Sequence, residues 1–240
     1  MRLRVLLRER DYAVVAKPAR LPCHRSEMTN ERRTLVSLAR ARFGERVHLV
    51  HRLDRAVSGC LLIAFDPDTT RVLQAALAAD DATKTYLAFV RGCFAHDGEV
   101  VVDTDVKDDQ GQLKSARSVV RALGRGQDPR CSLLEVRPET GRYHQVRRHV
   151  RDLNHPILGD GEHGDSRVNR AWREERGLER LGLHCLSLDL PLPDGTRLRT
   201  WCPPPEDLAR IWSTMPWWPD AVAAEPRLAY PPLPLDAGPS

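Results

Sequence analysis

The run CLLIAF at residues 60–65 constrains this chain more than any other segment. An unbroken apolar run of that length reads as a strand buried on both faces, so the fold has to supply neighbouring strands and cover above and below it. Other segments supply the neighbours. Residues 11–16 (DYAVVA) predict a strand that stops at Lys17-Pro18, because proline cannot donate to a ladder and holds its predecessor extended. KTYLAFV from Lys84, SARSVVRAL and CSLLEVRP predict further strands at short spacing. LHCLSLDL and TRLRTW predict a late pair joined through Pro193-Asp194-Gly195, residues that favour a turn.

Helical patterns interrupt the strands irregularly. TLVSLARARF, residues 34–43, predicts a helix closed by Gly44, and Asp68 is expected to cap another that carries Val72, Leu73, Ala76 and Leu77. The mixture predicts an α+β fold: a mixed, largely antiparallel sheet with flanking helices and loops. One catalytic domain over residues 1–218 is expected, followed by a proline-rich tail, 219–240, that is poorly ordered beyond Trp218. No internal repeat is present.

A chain of 240 residues that is 41% hydrophobic can bury roughly 70 to 75% of its unfolded surface, so the core needs no staples. Arg2, Arg4, Arg8, Glu9 and Arg10 leave only Val5, Leu6 and Leu7 as an apolar stretch near the start, which is no signal peptide, and no later run approaches a membrane span. Cys23, Cys60, Cys93, Cys131, Cys185 and Cys202 are scattered without a C-x-x-C pair, so they are read as reduced thiols in the cytoplasm and not as a zinc or redox site. The net charge of +4 is modest, but Arg142, Arg147, Arg148 and Arg151 crowd into ten residues, a density that suits phosphate contact.

HRLDRAVSG, residues 51–59, lies between a predicted strand (47–50) and the buried run. Taken alone it reads as a solvated charged loop. It echoes the H-R-D loop of protein kinases, but Leu53 intervenes and no D-F-G or V-A-I-K partner follows. In TGRYHQVRRHVRDLNHPILGD, residues 140–160, a helical wheel puts Val146, Val150 and Leu153 on one face and His144, Arg147, Arg148 and Arg151 on the other, an amphipathic helix with a basic outer face. His144 and His149 lack metal-ligand spacing, and no metal is expected. The glycines of Gly159, Gly161 and Gly164 spell G-x-G-x-x-G, yet Asp160, Glu162 and Asp165 would repel a pyrophosphate, so no nucleotide cofactor is implied. DTDVKDDQG fails as a calcium loop because Lys107 occupies a ligand position.

Four blocks taken in order resemble the RluA-type pseudouridine synthases: VVAKPARLPCHR, HRLDRAVSGCLLIA, KTYLAFVRG and TGRYHQVRRHVRDLNHPILGD. The resemblance implies an RNA isomerase that works without cofactor or metal. It implies that Asp54 is the essential aspartate, acting as nucleophile or as proton acceptor, and that Arg147 pairs with it. It assigns Tyr86 to stack on the target uracil and Arg52 to fill the space left by the flipped nucleotide, with His51, Lys84 and Arg142 in support. Arg148 and Arg151 are expected to contact RNA phosphates. Val57 and Arg20 depart from the family's threonine and glycine, and Arg20 puts the Lys-Pro turn in question. The stretch before Tyr12 is too short for the small RNA-binding S4 domain of many relatives. Within the family, residues 147–190 look most like the C-type enzymes, whose target is a uridine in the T-stem of tRNA. A ribosomal RNA target, or a binding protein on this fold without turnover, are the alternatives.

Overall fold

The computed structural model describes residues 3–25, 33–44, 46–108 and 110–234. Along the chain run β1 (Arg4–Arg8), β2 (Tyr12–Lys17), α1 (Leu35–Phe43), β3 (His48–Leu49), β4 (Ser58–Ala64), α2 (Pro67–Ala78), β5 (Thr83–Arg91) and β6 (Glu99–Asp103). There follow β7 (Val106–Lys107), β8 (Leu113–Lys114), β9 (Arg117–Gln127), β10 (Arg130–Pro138), α3 (Gln145–Asp152) and α4 (Ser166–Arg176). β11 (Leu183–Pro191), β12 (Arg197–Trp201), α5 (Glu206–Trp212), α6 (Trp218–Ala224) and a 3-10 turn (Pro226–Ala229) complete it. The chain is an α+β protein of mixed, largely antiparallel sheet with flanking helices, as its patterning predicted. It divides into two compact units, Met1–Thr83 with Cys185–Cys202 and Lys84–His184 with Pro203–Pro234.

In the first unit the strands lie in the order β1-β2-β4-β11, with β12 on β11 and β3 on β4. Every residue of β4 is buried, which is what its apolar run demanded. β2 pairs with it antiparallel, Val14 opposite Leu62 and Val15 opposite Leu61. At Gly59 an added Cβ would lie 2.1 Å from the carbonyl oxygen of Cys185, and φ is +125°, so this position admits glycine alone. Thr34 caps α1 through a capping box with Ser37. The cap of α2 is Asp66 and not Asp68: its carboxylate accepts from Thr69 N–H at 2.7 Å. Pro67 decides the matter, since proline favours the first helical position and puts Asp68 inside the first turn. Leu73 and Ala76 are buried, whereas Val72 stays 42% exposed. The predicted turn between β11 and β12 closes with Thr196 N–H bonded to Asp194 Oδ1 at 2.9 Å and Gly195 at φ 81°.

In the second unit β5, β10, β9 and β6 form a four-strand antiparallel sheet in that order, and β7 and β8 make a separate hairpin. Phe89 of β5 gathers Trp172, Trp212 and Trp217, with ring centroids at 5.1, 6.3 and 6.1 Å. Trp217 lies so close on β9 that a Cβ at Gly124 would meet its ring at 2.5 Å. This anchorage explains a departure from the sequence reading: beyond Trp218 the chain is not poorly ordered but forms α6 and the 3-10 turn, with Ala221 and Leu228 buried. Proline content signalled a tail, but the apolar residues between the prolines give the segment something to bury. Residues 235–240 lie outside the described residues. No described helix is long and apolar enough to cross a membrane.

Candidate active site

Asp54 belongs to the first unit. It sits in the connection from β3 to β4, half-buried, between buried Leu53 and exposed Arg55. Several hydrogen bonds fix this connection. Val57 N–H donates to the Asp54 carbonyl at 3.0 Å, closing a turn around the aspartate itself. The Cys23 thiol donates to the Leu53 carbonyl at 3.2 Å. Lys17, 1% exposed, spreads its ammonium over the carbonyls of Pro18 at 2.9 Å and Arg55 at 3.2 Å. His51 Nε2 accepts from Leu62 N–H at 3.1 Å, tying the loop to β4. Arg55 Nε reaches the Arg20 carbonyl at 3.3 Å. Arg20 takes the left-handed conformation, φ 63°, so the turn keeps a geometry that ordinarily favours glycine. Burial pushes the Cys23 thiol above its usual value, so it donates and does not ionise. Arg52 is exposed.

Sequence reasoning used Lys17 only as a strand terminator and missed its role as a clamp. A buried lysine is rare without partners, so its full burial is the signal, but burial is not readable from the sequence.

Arg147, Tyr86 and the remaining predicted residues belong to the second unit. Tyr86 stands half-buried on β5 opposite Val136 of β10, and Lys84 lies two residues before it. On α3 the buried face carries Val146 and Val150 as predicted, but His144 and Arg147 do not join a basic outer face: they are 8% and 4% exposed. Arg151 is exposed and Arg148 half-buried. The cause lies downstream. Asp160, from the glycine-containing loop, meets the Arg147 guanidinium with both oxygens, Nε at 2.8 Å and Nη2 at 2.7 Å. Glu162 adds a contact at 3.2 Å, and His144 Nε2 lies 2.7 Å from Arg147 Nη1. A guanidinium matched on so many donors can leave water at tolerable cost.

Asp160 Oδ1 also accepts the Glu162 and His163 N–H groups at 2.9 and 3.0 Å. Burial would raise the carboxyl, but these bonds and the Arg147 charge outweigh it and hold Asp160 below the usual carboxylate range. The G-x-G-x-x-G loop thus has a purpose unrelated to phosphate: its first glycine, Gly159 at φ +79°, lets it fold back so that Asp160 receives Arg147. Gln145 locks the start of α3, accepting from Thr140 Oγ1 and Arg142 N–H and donating to the Arg117 carbonyl and Ser118 Oγ. On the surface, Arg142 Nε bonds the Ser115 carbonyl at 3.0 Å, Arg148 bonds the Lys107 carbonyl and Arg151 bonds Asp152.

Among the described residues one trio, His144, Glu162 and His163, brings ligand-type atoms within 4.8 Å of one another. Arg147 Nη1 lies 2.7 Å from the other nitrogen of His144, and its charge opposes a cation there. Within the trio His144 and His163 are hydrogen-bonded at 3.0 Å, and Glu162 is engaged by Arg147.

Residues 11–152 match the family described as RNA pseudouridylate synthase. The tRNA pseudouridine synthase C of Yersinia pestis is 36% identical over 210 residues, covering 80% of this chain and 82% of that protein. The tRNA pseudouridine synthase C of Haemophilus ducreyi is 34% identical over 212 residues, covering 80% and 87%. Among solved structures, human RNA pseudouridylate synthase domain containing 1 is similar with a TM-score of 0.67 and 26% identity, over 84% of this chain and 83% of that one. Human RNA pseudouridylate synthase domain containing 4 shares the fold, with a TM-score of 0.66 and 22% identity over 95% and 94%. The four sequence blocks and these likenesses agree, and the chain belongs to the RNA pseudouridylate synthase family, an isomerase that makes pseudouridine in RNA.

Proposed function

We propose that the protein isomerises a uridine of tRNA, in the T-stem, and that Asp54, Tyr86 and Arg147 carry the reaction. The observation that carries the substrate is the similarity, across 80% of this chain, to relatives named tRNA pseudouridine synthase C. The N1–C1′ bond of uridine breaks, the uracil turns, and C5 bonds to C1′; the C5 proton leaves and N1 gains one, so the composition is unchanged. Asp54 is the carboxylate that attacks the nucleoside or removes a sugar proton, and its clamped backbone supports that role by limiting the motion of the charged group. Tyr86 gives the detached base a face to rest on, and Arg52 takes the place of the extruded nucleotide, with His51 and Lys84 in support. Arg147 supplies a fixed positive charge. Arg142, Arg148 and Arg151 meet phosphates. The setting is the cytoplasm, which the six free thiols support.

The test is release of tritium from tRNA labelled at uridine C5. Wild-type protein releases it, and Asp54→Asn binds the same RNA without releasing any. Release that persists in Asp54→Asn removes the assignment of Asp54. Release from ribosomal RNA and none from tRNA removes the substrate.

A further inference from the structure

We propose that His144 and His163 are positioning residues for Arg147, two neutral rings in series that fix the outer edge of a guanidinium already paired with Asp160, a hold that is lost when either ring takes a second proton. This rests on the role given above to Arg147. A guanidinium has donors only. With Arg147 Nη1 2.7 Å from His144 Nε2, that nitrogen accepts, and the proton of the neutral ring sits on Nδ1. Nδ1 in turn lies 3.0 Å from His163 Nε2, which must then accept as well, so His163 also carries its proton on Nδ1. Each ring has one tautomer that satisfies the chain. The opposite tautomer of His144, or its imidazolium, sets an N–H against the N–H of Arg147. A protonated His163 sets two N–H groups against each other at the same short distance.

The surroundings hold the rings in this state. His144 starts α3 in the left-handed conformation, φ 54°, and stacks on Tyr143 with centroids 3.7 Å apart and planes 21° apart. The two imidazoles meet edge to face at 83°. Glu162 Oε2 lies 3.6 Å from His144 Nδ1, on the side where the proton is. Around His163, burial lowers its proton affinity; the Asp160 and Glu162 carboxylates oppose this, Arg147 and Arg148 reinforce it, and the net shift is downward. The ring is neutral at neutral pH and gains its proton only below the usual histidine range.

The experiment uses the full chain labelled with 15N-histidine. At pH 7.5 the ring nitrogens of His144 and His163 should show both rings neutral with the proton on Nδ1, the minor form of free histidine. Arg147→Met should return His144 to the Nε2–H form. A wild-type His144 found as Nε2–H overturns the proposal, and this readout needs no RNA.

Single-turnover tritium release then measures the consequence. His163→Ala should slow it by about tenfold, the scale of losing a partner that orients a catalytic group, with RNA affinity unchanged. His163→Gln, whose Oε1 accepts from His144 and does not titrate, should recover most of the rate and flatten the acid limb that wild type shows below the usual histidine range. A His163→Ala rate equal to wild type, or an unaltered acid limb in His163→Gln, overturns the proposal. If wild type releases no tritium from any RNA, the substrate reading fails and the ring spectra still judge the histidine pair.

Discussion

Replacing Arg147 with methionine tests whether the loop at residues 159–164 is built to receive that guanidinium. Asp160 has no exposed side-chain surface and Arg147 has 5%. Methionine fills part of the space but offers no donor, so the carboxylate keeps only its two backbone N–H groups. Removing one partner of a buried ion pair costs about 3–5 kcal/mol, and the retained N–H groups place this case near the lower end, about 3 kcal/mol. For a chain of this size that is a melting temperature about 6–12 °C lower. Asp160→Asn should cost less, because Glu162 and His144 still engage Arg147. The double variant should lose less than the sum, since no buried charge is then left unmatched. The assay is the urea midpoint at pH 7.5, followed downward in pH. The folded carboxyl titrates below its unfolded value, so its contribution is full above about pH 4 and is lost as pH falls through the folded value. A loss in Arg147→Met under about 1 kcal/mol, the size of an exposed pair, or strict additivity in the double variant, refutes the reasoning.

Lys17→Met strands two carbonyls beneath the Asp54 turn and should cost about 2–3 kcal/mol by urea melting, with slower tritium release at unchanged RNA affinity. Gly59→Ala forces a Cβ into the Cys185 backbone and should cost more than about 3 kcal/mol, read as loss of soluble protein at 37 °C. Arg148→Ala and Arg151→Ala should each lower the slope of log affinity against log salt for tRNA by about 1, leaving single-turnover chemistry unchanged; slopes equal to wild type count against phosphate contact.

Local rules made much of this legible. The apolar run at 60–65 became β4, Thr34 and Gly44 bounded a helix, and Asp194-Gly195 turned the chain, because each outcome is settled by neighbours in sequence. The expected cap at Asp68 was misplaced by two residues, because Pro67 takes the first helical position and leaves the cap to Asp66. The misread features are non-local. A helical wheel sorts polarity and knows nothing of partners, so Arg147 and His144 were put in solvent although Asp160, thirteen residues after Arg147, draws that arginine inside. The same loop was dismissed as a failed phosphate motif because its carboxylates repel anions, which is the property that suits them to a buried cation. Lys17 reaches a carbonyl 38 residues away, beyond any local pattern.

The packing of Trp217 against β9 also gives the protein an internal reporter. Of five tryptophans, Trp172, Trp212, Trp217 and Trp218 lie in the second unit and only Trp201 in the first. Three of the four are buried around Phe89. Native emission should therefore be blue-shifted and dominated by the half of the molecule that carries Arg147 and Tyr86. A change in the Asp54 half that leaves this emission untouched would be invisible to fluorescence and plain in circular dichroism, so comparing the two signals reads the units separately without a label.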